Sequence, residues 1–196
     1  MASADRLVVA LLAAGRSRRF GTEDKLLAPL RGKPLLHWAA EAGRAIDAAQ
    51  HFIVAGPDLA QQALPDGYDL LVNPVPQQGL ASSLRIAAHQ ARTLGASALL
   101  ILLGDMPLVT PVHLRSLLAI HQRDGARPVF SRSGTQAAQP PALFPARLFP
   151  ELESLSGDSG ARAFAADARF AEAAANVLAD VDTPEDLARC SNLLRS

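Results

Sequence analysis

The sequence predicts an α/β fold, a mostly parallel sheet covered by helices, and three observations carry that expectation. Short apolar runs alternate with longer segments whose apolar residues recur at helical spacing. Prolines stand where helical segments would begin, at Pro34, Pro111 and Pro184, positions at which a missing N–H costs nothing. A loop of small residues and glycine follows the first apolar run directly, where such folds expose backbone to ligands beyond the carboxyl ends of their strands.

Taken in order, Leu7 to Leu12 is a nearly continuous apolar run, the pattern of a strand buried on both faces. Further strands are expected at His51 to Ala55, Asp69 to Val72, Ala98 to Leu103, Arg127 to Ser131 and Ala174 to Val181. Helices are expected over Pro34 to Ala49, Leu80 to Leu94, Pro111 to Arg123, Gly157 to Ala168 and Pro184 to Leu194. Ser131 to Pro150 is rich in Gly, Pro, Ala and Ser, and reads as an irregular excursion or short hairpin over the site. With no long linker and no internal repeat, residues 1–196 are expected to form one domain.

Composition narrows the function classes. A chain that is 49% hydrophobic and 19% charged can bury a core, which excludes disordered and collagen-like proteins. Nineteen basic residues balance nineteen acidic ones, so no global field draws the chain to nucleic acid or anionic lipid, and neither is an expected partner. The N-terminus reads as neither a signal peptide nor a membrane span, so the expected compartment is the cytoplasm. Cys190 is the sole cysteine and the histidines lack close zinc-type pairing, so any metal is expected to be oxygen-ligated and to arrive with a substrate.

Three segments carry candidate chemistry. In Ala13-Ala14-Gly15-Arg16-Ser17-Arg18-Arg19-Phe20-Gly21-Thr22-Glu23-Asp24-Lys25, small residues let the main chain approach a ligand and successive amides can form an anion-binding nest. Three arginines and Lys25 supply charge for several phosphate oxygens, which suits a triphosphate. Five residues separate Gly15 from Gly21 and no Gly-Lys-Ser/Thr follows, so the loop is neither a dinucleotide fingerprint nor a P-loop. The plain alternative is a surface turn with solvated arginines, and the position straight after the first strand weighs against it. Second, Ala98 to Leu103 leads into Gly104-Asp105-Met106-Pro107 and sets a carboxylate at a strand's carboxyl end. A hard cation such as Mg²⁺ takes one or two carboxylates plus substrate phosphates, although an aspartate there could simply cap the turn. Third, strand alternation in Ala179-Asp180-Val181-Asp182 would place Asp180 and Asp182 on one face, before a helix start at Thr183-Pro184-Glu185-Asp186. The loop from Asn73 through Gly79 to Ser82 and Ser83 offers backbone and hydroxyl donors that can read a base edge or cap a helix.

Leu12-Ala13-Ala14-Gly15-Arg16-Ser17-Arg18-Arg19-Phe20-Gly21 followed by Lys25 resembles the signature L-A-A-G-x-S-x-R-M-G-x-x-K of the nucleotidyltransferases that finish molybdenum cofactor. Phe20 replaces the usual Met, and one additional residue precedes the lysine. Gly104 to Leu108 resembles that family's G-D-x-P-L, Gly79 to Leu84 its G-x-x-x-S-L, and Asp180 to Asp186 its D-x-D-T-P-E-D. Pro140 to Phe144 and Leu155 to Arg162 resemble its P-x-L-F and L-x-G-D-x-G-A-R, on the side where the pterin substrate is expected. The resemblance spans Leu12 to Leu187.

The resemblance implies a three-layer α/β/α, Rossmann-like sheet of the nucleotide-diphospho-sugar transferase type. It implies a triphosphate held along Leu12, Ala13, Ala14, Gly15, Arg16, Ser17 and Lys25, with Lys25 and Arg19 neutralising phosphates. Asn73, Gly79, Ser82 and Ser83 would lie near the nucleoside. Asp105 would bind magnesium with Asp182 as second ligand and Asp180 in reserve, so that Lys25, Arg19 and Asp105 form the catalytic set. Where the guanylyltransferase branch has Ala-Gly-Gly this chain has Ala13-Ala14-Gly15, and the added methyl favours the smaller pyrimidine, so CTP is the expected nucleotide. The implied reaction is transfer of CMP from CTP to the terminal phosphate of molybdopterin carrying molybdenum, releasing pyrophosphate. A molybdoenzyme or its maturation chaperone would receive the product. Gln139-Pro140-Pro141 lacks the Gly-His-Pro of close cytidylyltransferase relatives, which leaves the acceptor open. The rivals are a guanylyl- or other NTP:phosphate nucleotidyltransferase and a non-catalytic nucleotide-binding maturation factor. Intact Lys25, Asp105 and Asp182 argue against the second. Gly157-Asp158-Ser159-Gly160 with His89 imitates a serine-protease pattern, but that histidine falls in an expected helix.

Overall fold

A computed structural model describes residues 6–15, 20, 24–57, 59, 64–156, 160–174 and 176–194. The strands are β1 (Leu7–Ala13), β2 (Pro29–Leu30), β3 (Lys33–Pro34), β4 (Gln50–Ala55), β5 (Asp69–Val72), β6 (Ala98–Leu103), β7 (Val129–Arg132), β8 (Gln139–Pro145) and β9 (Arg169–Glu172). The α-helices are α1 (Leu35–Arg44), α2 (Leu80–Thr93), α3 (Pro111–Arg123), α4 (Phe149–Glu153) and α5 (Pro184–Leu193). Seven strands form one sheet in the order β5-β4-β1-β6-β8-β7-β9, and β2 pairs with β3 apart from it. Among the described residues, β8 alone runs against its neighbours, antiparallel to both β6 and β7. The sheet is therefore mostly parallel, as the alternation of elements predicts.

Strand alternation builds the three layers. Val9, Leu11 and Ala13 of β1, with Leu100 and Leu102 of β6, pack on one face against Leu36, Ala39 and Ala40 of α1 and Leu114 and Leu117 of α3. Val8, Ala10 and Leu12, with Leu99 and Ile101, pack on the other against Leu84, Ala87, Ala88 and Ala91 of α2 and Leu152 of α4. Continuous apolar runs are what two covered faces require. A smaller third cluster joins Leu30, Leu35, Val181 and Cys190, and ties α5 to the region that follows β1.

Several expectations need correction. Ala174 to Val181 is not a strand: residues 176–178 form a turn, and Val177 and Ala179 donate their N–H groups locally to Ala174 and Asn176. The strand is instead β9, which pairs in parallel with β7 at the sheet edge and exposes Arg169 and Glu172 while burying Ala171. Its polar ends hid it, and the apolar residues after it, Leu178 and Val181, are buried from loops. Ser131 to Pro150 does contain a hairpin, but β7 and β8 are built into the sheet rather than laid over the site. Proline is tolerated in β8 because Pro140 and Pro141 fall where its pairing with β7 shifts register, and Pro145 closes the strand. α1 stops at Arg44 rather than Ala49, and Gly160–Asp167 is a 3₁₀ helix, with residues 157–159 outside the described set. No helix among the described residues is long and apolar enough to cross a membrane.

Candidate active site

The site grows from the adjacent carboxyl ends of β1 and β6, where Leu12 pairs with Leu103. Gly104 extends that ladder by donating its N–H to the Leu12 carbonyl at 3.0 Å, so Ala13-Ala14-Gly15 and Gly104-Asp105 leave the sheet side by side. A Cβ on Gly104 would stand 2.7 Å from Leu36 Cδ1, so a side chain on the residue that delivers Asp105 would push the buried Leu36 aside.

Lys25 opens a 3₁₀ turn, Lys25–Leu27, whose Leu26 N–H is capped by Asp24 Oδ1 at 3.0 Å and whose Leu26 side chain is buried in the core. The turn directs the lysine inward. Its Nζ donates to Asp105 Oδ2 at 2.8 Å and to Asp182 Oδ1 at 2.9 Å. Asp182 reaches this point because the buried Val181 donates its N–H to the Asp105 carbonyl at 2.9 Å. A capping box then follows, in which Asp186 Oδ2 accepts from the Asp182 and Thr183 N–H groups and Thr183 accepts from Asp186. The strand alternation expected to align Asp180 with Asp182 therefore does not operate, and Asp180 faces a different cavity.

Electrostatics follow from this packing. Burial alone would lower the Lys25 pKa, but the Asp105 and Asp182 carboxylates outweigh it and hold the ammonium above its ordinary value. Burial raises Asp180, and the neighbouring Asp182 and Asp105 charges push it the same way. One oxygen of Asp105, Oδ1, is buried without a hydrogen-bond partner among the described residues, and the other is on Lys25. Among the described residues no group of three or more His, Cys, Asp or Glu converges. Two carboxylates, one bearing an unsatisfied buried oxygen, form a donor set suited to a hard cation that completes its shell with phosphate and water.

A cleft of about 330 Å³ opens over these groups, lined by Leu12, Ala13, Ala14, Gly15, Lys25, Leu26, Pro76, Gln77, Gly79, Leu80, Ser83, Leu103 and Asp105. A second cavity of about 290 Å³ adjoins it across Leu80 and Leu103. Apolar side chains from Leu84, Ile101, Met106, Phe130 and Phe144 make up much of its wall, with Gln139 and Asp180 as its polar members.

Of the residues singled out in the sequence, Leu12, Ala13, Ala14, Gly15, Lys25, Gly79, Ser83 and Asp105 meet in the first cleft. Arg16, Ser17 and Arg19 lie outside the described residues. Asn73 and Ser82 are buried behind the cleft wall: Asn73 Nδ2 donates to the Ser82 and Ser83 hydroxyls at 2.8 and 3.0 Å, and its Oδ1 accepts from the Val75 N–H at 3.0 Å. Ser82 donates in turn to the Gly79 carbonyl at 2.8 Å. This network frames the turn into α2, where Gly79 adopts φ 77°, a left-handed conformation that glycine takes without strain. Asn73 and Ser82 therefore shape the loop, while Gly79 and Ser83 touch the cleft. His89 lies on α2 beside Glu153, and Gly157, Asp158 and Ser159 are outside the described residues. Sequence reading missed Pro76, Gln77 and the Leu80–Leu103 partition. It also missed the direct Lys25–carboxylate contact, for which opposite charge was the sole signal across 80 and 157 residues.

Residues 9–177 match the MobA-like NTP transferase domain. The chain is 33% identical to a molybdenum cofactor guanylyltransferase of Cereibacter sphaeroides over 97% of its length and 98% of the relative's. It is 29% identical to the purine catabolism protein PucB of Bacillus subtilis, over 92% and 93% of the two chains. Among solved structures, Rv0371c of Mycobacterium tuberculosis is 30% identical with a TM-score of 0.78, covering 97% of this chain and 99% of that one. A second structure of Rv0371c, a complex with manganese, matches at 25% identity and a TM-score of 0.78 over 95% and 98% of the two chains. Full-length similarity of this kind agrees with a cleft whose glycine loop, lysine and paired carboxylates suit phosphates, and the chain belongs to the MobA-like NTP transferase family and is a nucleotidyltransferase.

Proposed function

We propose that the chain transfers CMP from CTP to the terminal phosphate of a molybdopterin-type acceptor and releases pyrophosphate. The observation that carries this reading is the Lys25 ammonium held by Asp105 and Asp182 in a cleft lined by Leu12 to Gly15. The narrow backbone of Ala13-Ala14-Gly15 lets a triphosphate lie close to main-chain N–H groups. Lys25 supplies positive charge to oxygens that gain negative charge as pyrophosphate leaves. Asp105 and Asp182 would hold a divalent cation, Mg²⁺ in this reading, and the manganese complex of Rv0371c supports the divalent class. Such a cation, when bound, neutralises phosphate charge and templates the displacement.

The acceptor occupies the second cavity, with its ring against the apolar wall and its phosphate directed over Leu80 and Leu103 toward the cleft. An acceptor phosphate oxygen forms the new bond to the α-phosphorus as the bond to the β-phosphate oxygen breaks. The acceptor phosphate is already ionised, so the protein contributes positioning and charge neutralisation rather than a nucleophile of its own. The product then passes to a molybdoenzyme or its maturation chaperone.

Choice of CTP rests on Ala14, a residue of the cleft lining, whose methyl would narrow the space left for the base. The guanylyltransferase reading is the second one, favoured by the name of the Cereibacter sphaeroides relative. A binding panel of CTP, GTP, ATP and UTP with Mg²⁺ decides between them, followed by pyrophosphate release with a molybdopterin acceptor. CTP bound tightest, with release dependent on the acceptor, is the expected outcome. Tightest binding of GTP selects the second reading, and nucleotide binding without pyrophosphate release rejects nucleotidyl transfer to this acceptor.

A further inference from the structure

Lys25 stands where a metal ion would need to be. Its residue is 7% exposed, its backbone is fixed by the capped turn and the buried Leu26, and its ammonium lies between one oxygen of Asp105 and one of Asp182. These are charge-assisted hydrogen bonds in a partly buried setting, stronger than surface ion pairs. A divalent cation drawing on both carboxylates would stand beside that ammonium even if it took Asp105 Oδ1 rather than the oxygens that bind Lys25, and two cations within about 4 Å repel strongly wherever water is scarce. One of them must give way. Without nucleotide, the ammonium displaced from both carboxylates loses these two charge-assisted hydrogen bonds, which opposes the exchange. With a triphosphate in the cleft, whose wall Lys25 already forms, the ammonium can pass to phosphate oxygens and remain paired.

We propose that Lys25 is the resident counterion of the Asp105–Asp182 pair, a placeholder that excludes a free divalent cation and yields its position when cation and triphosphate enter together. The two ligands then bind with positive coupling, each strengthening the other by the same factor. Metal uptake is gated by substrate, and the empty cleft stays closed to the free ion. This proposal rests on the reading of the cleft as a cation–triphosphate site.

The test titrates Mn²⁺ alone into the full chain, following free Mn²⁺ by electron paramagnetic resonance, for wild type, Lys25→Met and Lys25→Arg. Lys25→Met keeps the bulk and removes the charge, and should bind Mn²⁺ about tenfold or more tighter than wild type, within the usual span of such couplings. Lys25→Arg keeps the cation and should stay near wild type. Equal Mn²⁺ affinity in wild type and a folded Lys25→Met overturns the placeholder. Should Lys25→Met fail to fold by circular dichroism, the ¹⁵N resonance of the wild-type Lys25 ammonium decides: it should hold its position with Mg²⁺ alone and move when the α,β-methylene analogue of CTP is added with Mg²⁺. Movement with Mg²⁺ alone overturns the proposal. If the analogue binds wild type while Mn²⁺ affinities are equal, only the placeholder fails; if neither the analogue nor the corresponding GTP analogue binds with Mg²⁺, the reading of the cleft fails with it.

Discussion

The two halves of the sheet are built from different material. On one side β5, β4, β1 and β6 run parallel, β1 and β6 as continuous apolar strands, and Lys25, Asp105 and Asp182 meet beyond the carboxyl ends of those two. On the other, β8, β7 and β9 include the antiparallel, proline-bearing strand, and the cavity beside them is mainly apolar with Gln139 and Asp180 as its polar members. The first half concentrates charge at one point that polyanions can use. The second offers shape and an apolar wall, which suit a ring. Two neighbouring cavities of different lining suit a nucleotidyltransferase that must hold a nucleotide and an acceptor side by side.

The hairpin half depends on its own aromatic core. Phe144 is fully buried in β8, with its ring edge-on to Phe130 at 5.5 Å and to Phe164 at 5.9 Å. Phe144→Ala should cost about 3–5 kcal/mol of stability in urea unfolding, as buried aromatic truncations do. A loss below about 1 kcal/mol would mean that this half is not held by its core.

The charged half is sharpened by Asp105→Asn. The substitution keeps the shape of the side chain and removes a charge, so folding should persist while turnover falls roughly 10²-fold, the scale of losing one preorganised electrostatic contact. Near-normal pyrophosphate release at saturating Mg²⁺ would remove Asp105 from the chemistry.

A smaller effect is expected at Ala14, which lines the first cleft. Ala14→Gly should relax the preference for CTP over GTP by about 1–3 kcal/mol in kcat/KM, without reversing it, because one methyl in a pocket discriminates no further. A wild type that already uses GTP better than CTP would sink the pyrimidine assignment and leave the comparison of the two halves intact.

The mildest effect concerns the joint between α3 and the hairpin. Ser131 has a single hydroxyl proton, donated to the Pro141 carbonyl at 2.7 Å, so His113 Nε2 at 2.8 Å must be the donor to Ser131 Oγ. Burial lowers the His113 pKa below its ordinary 6.5. The unfolded chain thus takes up this proton at a higher pH than the native one does. The stability from neutral His113 is full above about pH 6.5 and is lost as pH falls through the lower native value, by at most about 1.4 kcal/mol per pH unit. Urea midpoints measured from pH 7.5 downward should show this decline in wild type and lose it in His113→Gln. Identical pH dependence in the two would show that His113 does not report on the joint.

Legibility in the sequence follows the same division. Asp69–Val72, Ala98–Leu103 and Pro111–Arg123 were readable because strands and helices covered on their inner faces carry an unbroken or periodic apolar pattern. β8 and β9 were not, because prolines at a register shift and charged residues at a sheet edge erase that pattern. In the site, Asp105 was readable from its place after an apolar strand. The path of Asp182 was not, since it depends on Val181 being buried in a core contributed by Leu30, Leu35 and Cys190, residues far apart along the chain.

The chain alone dictates the local decisions: alternating elements, proline at the starts of α3 and α5, and small residues with glycine where the first strand stops. Local chemistry is enough for these, because propensity and capping act within a few residues. The tertiary structure decided which side chains meet. Lys25 finds Asp105 and Asp182 only after β1 and β6 lie side by side and the Val181 N–H is pinned to the Asp105 carbonyl. A contact across 157 residues has no periodicity to announce it: closing so long a loop costs entropy that local interactions cannot offset, so the meeting point of the charges was set by core packing, not by any pattern within the charged segments themselves.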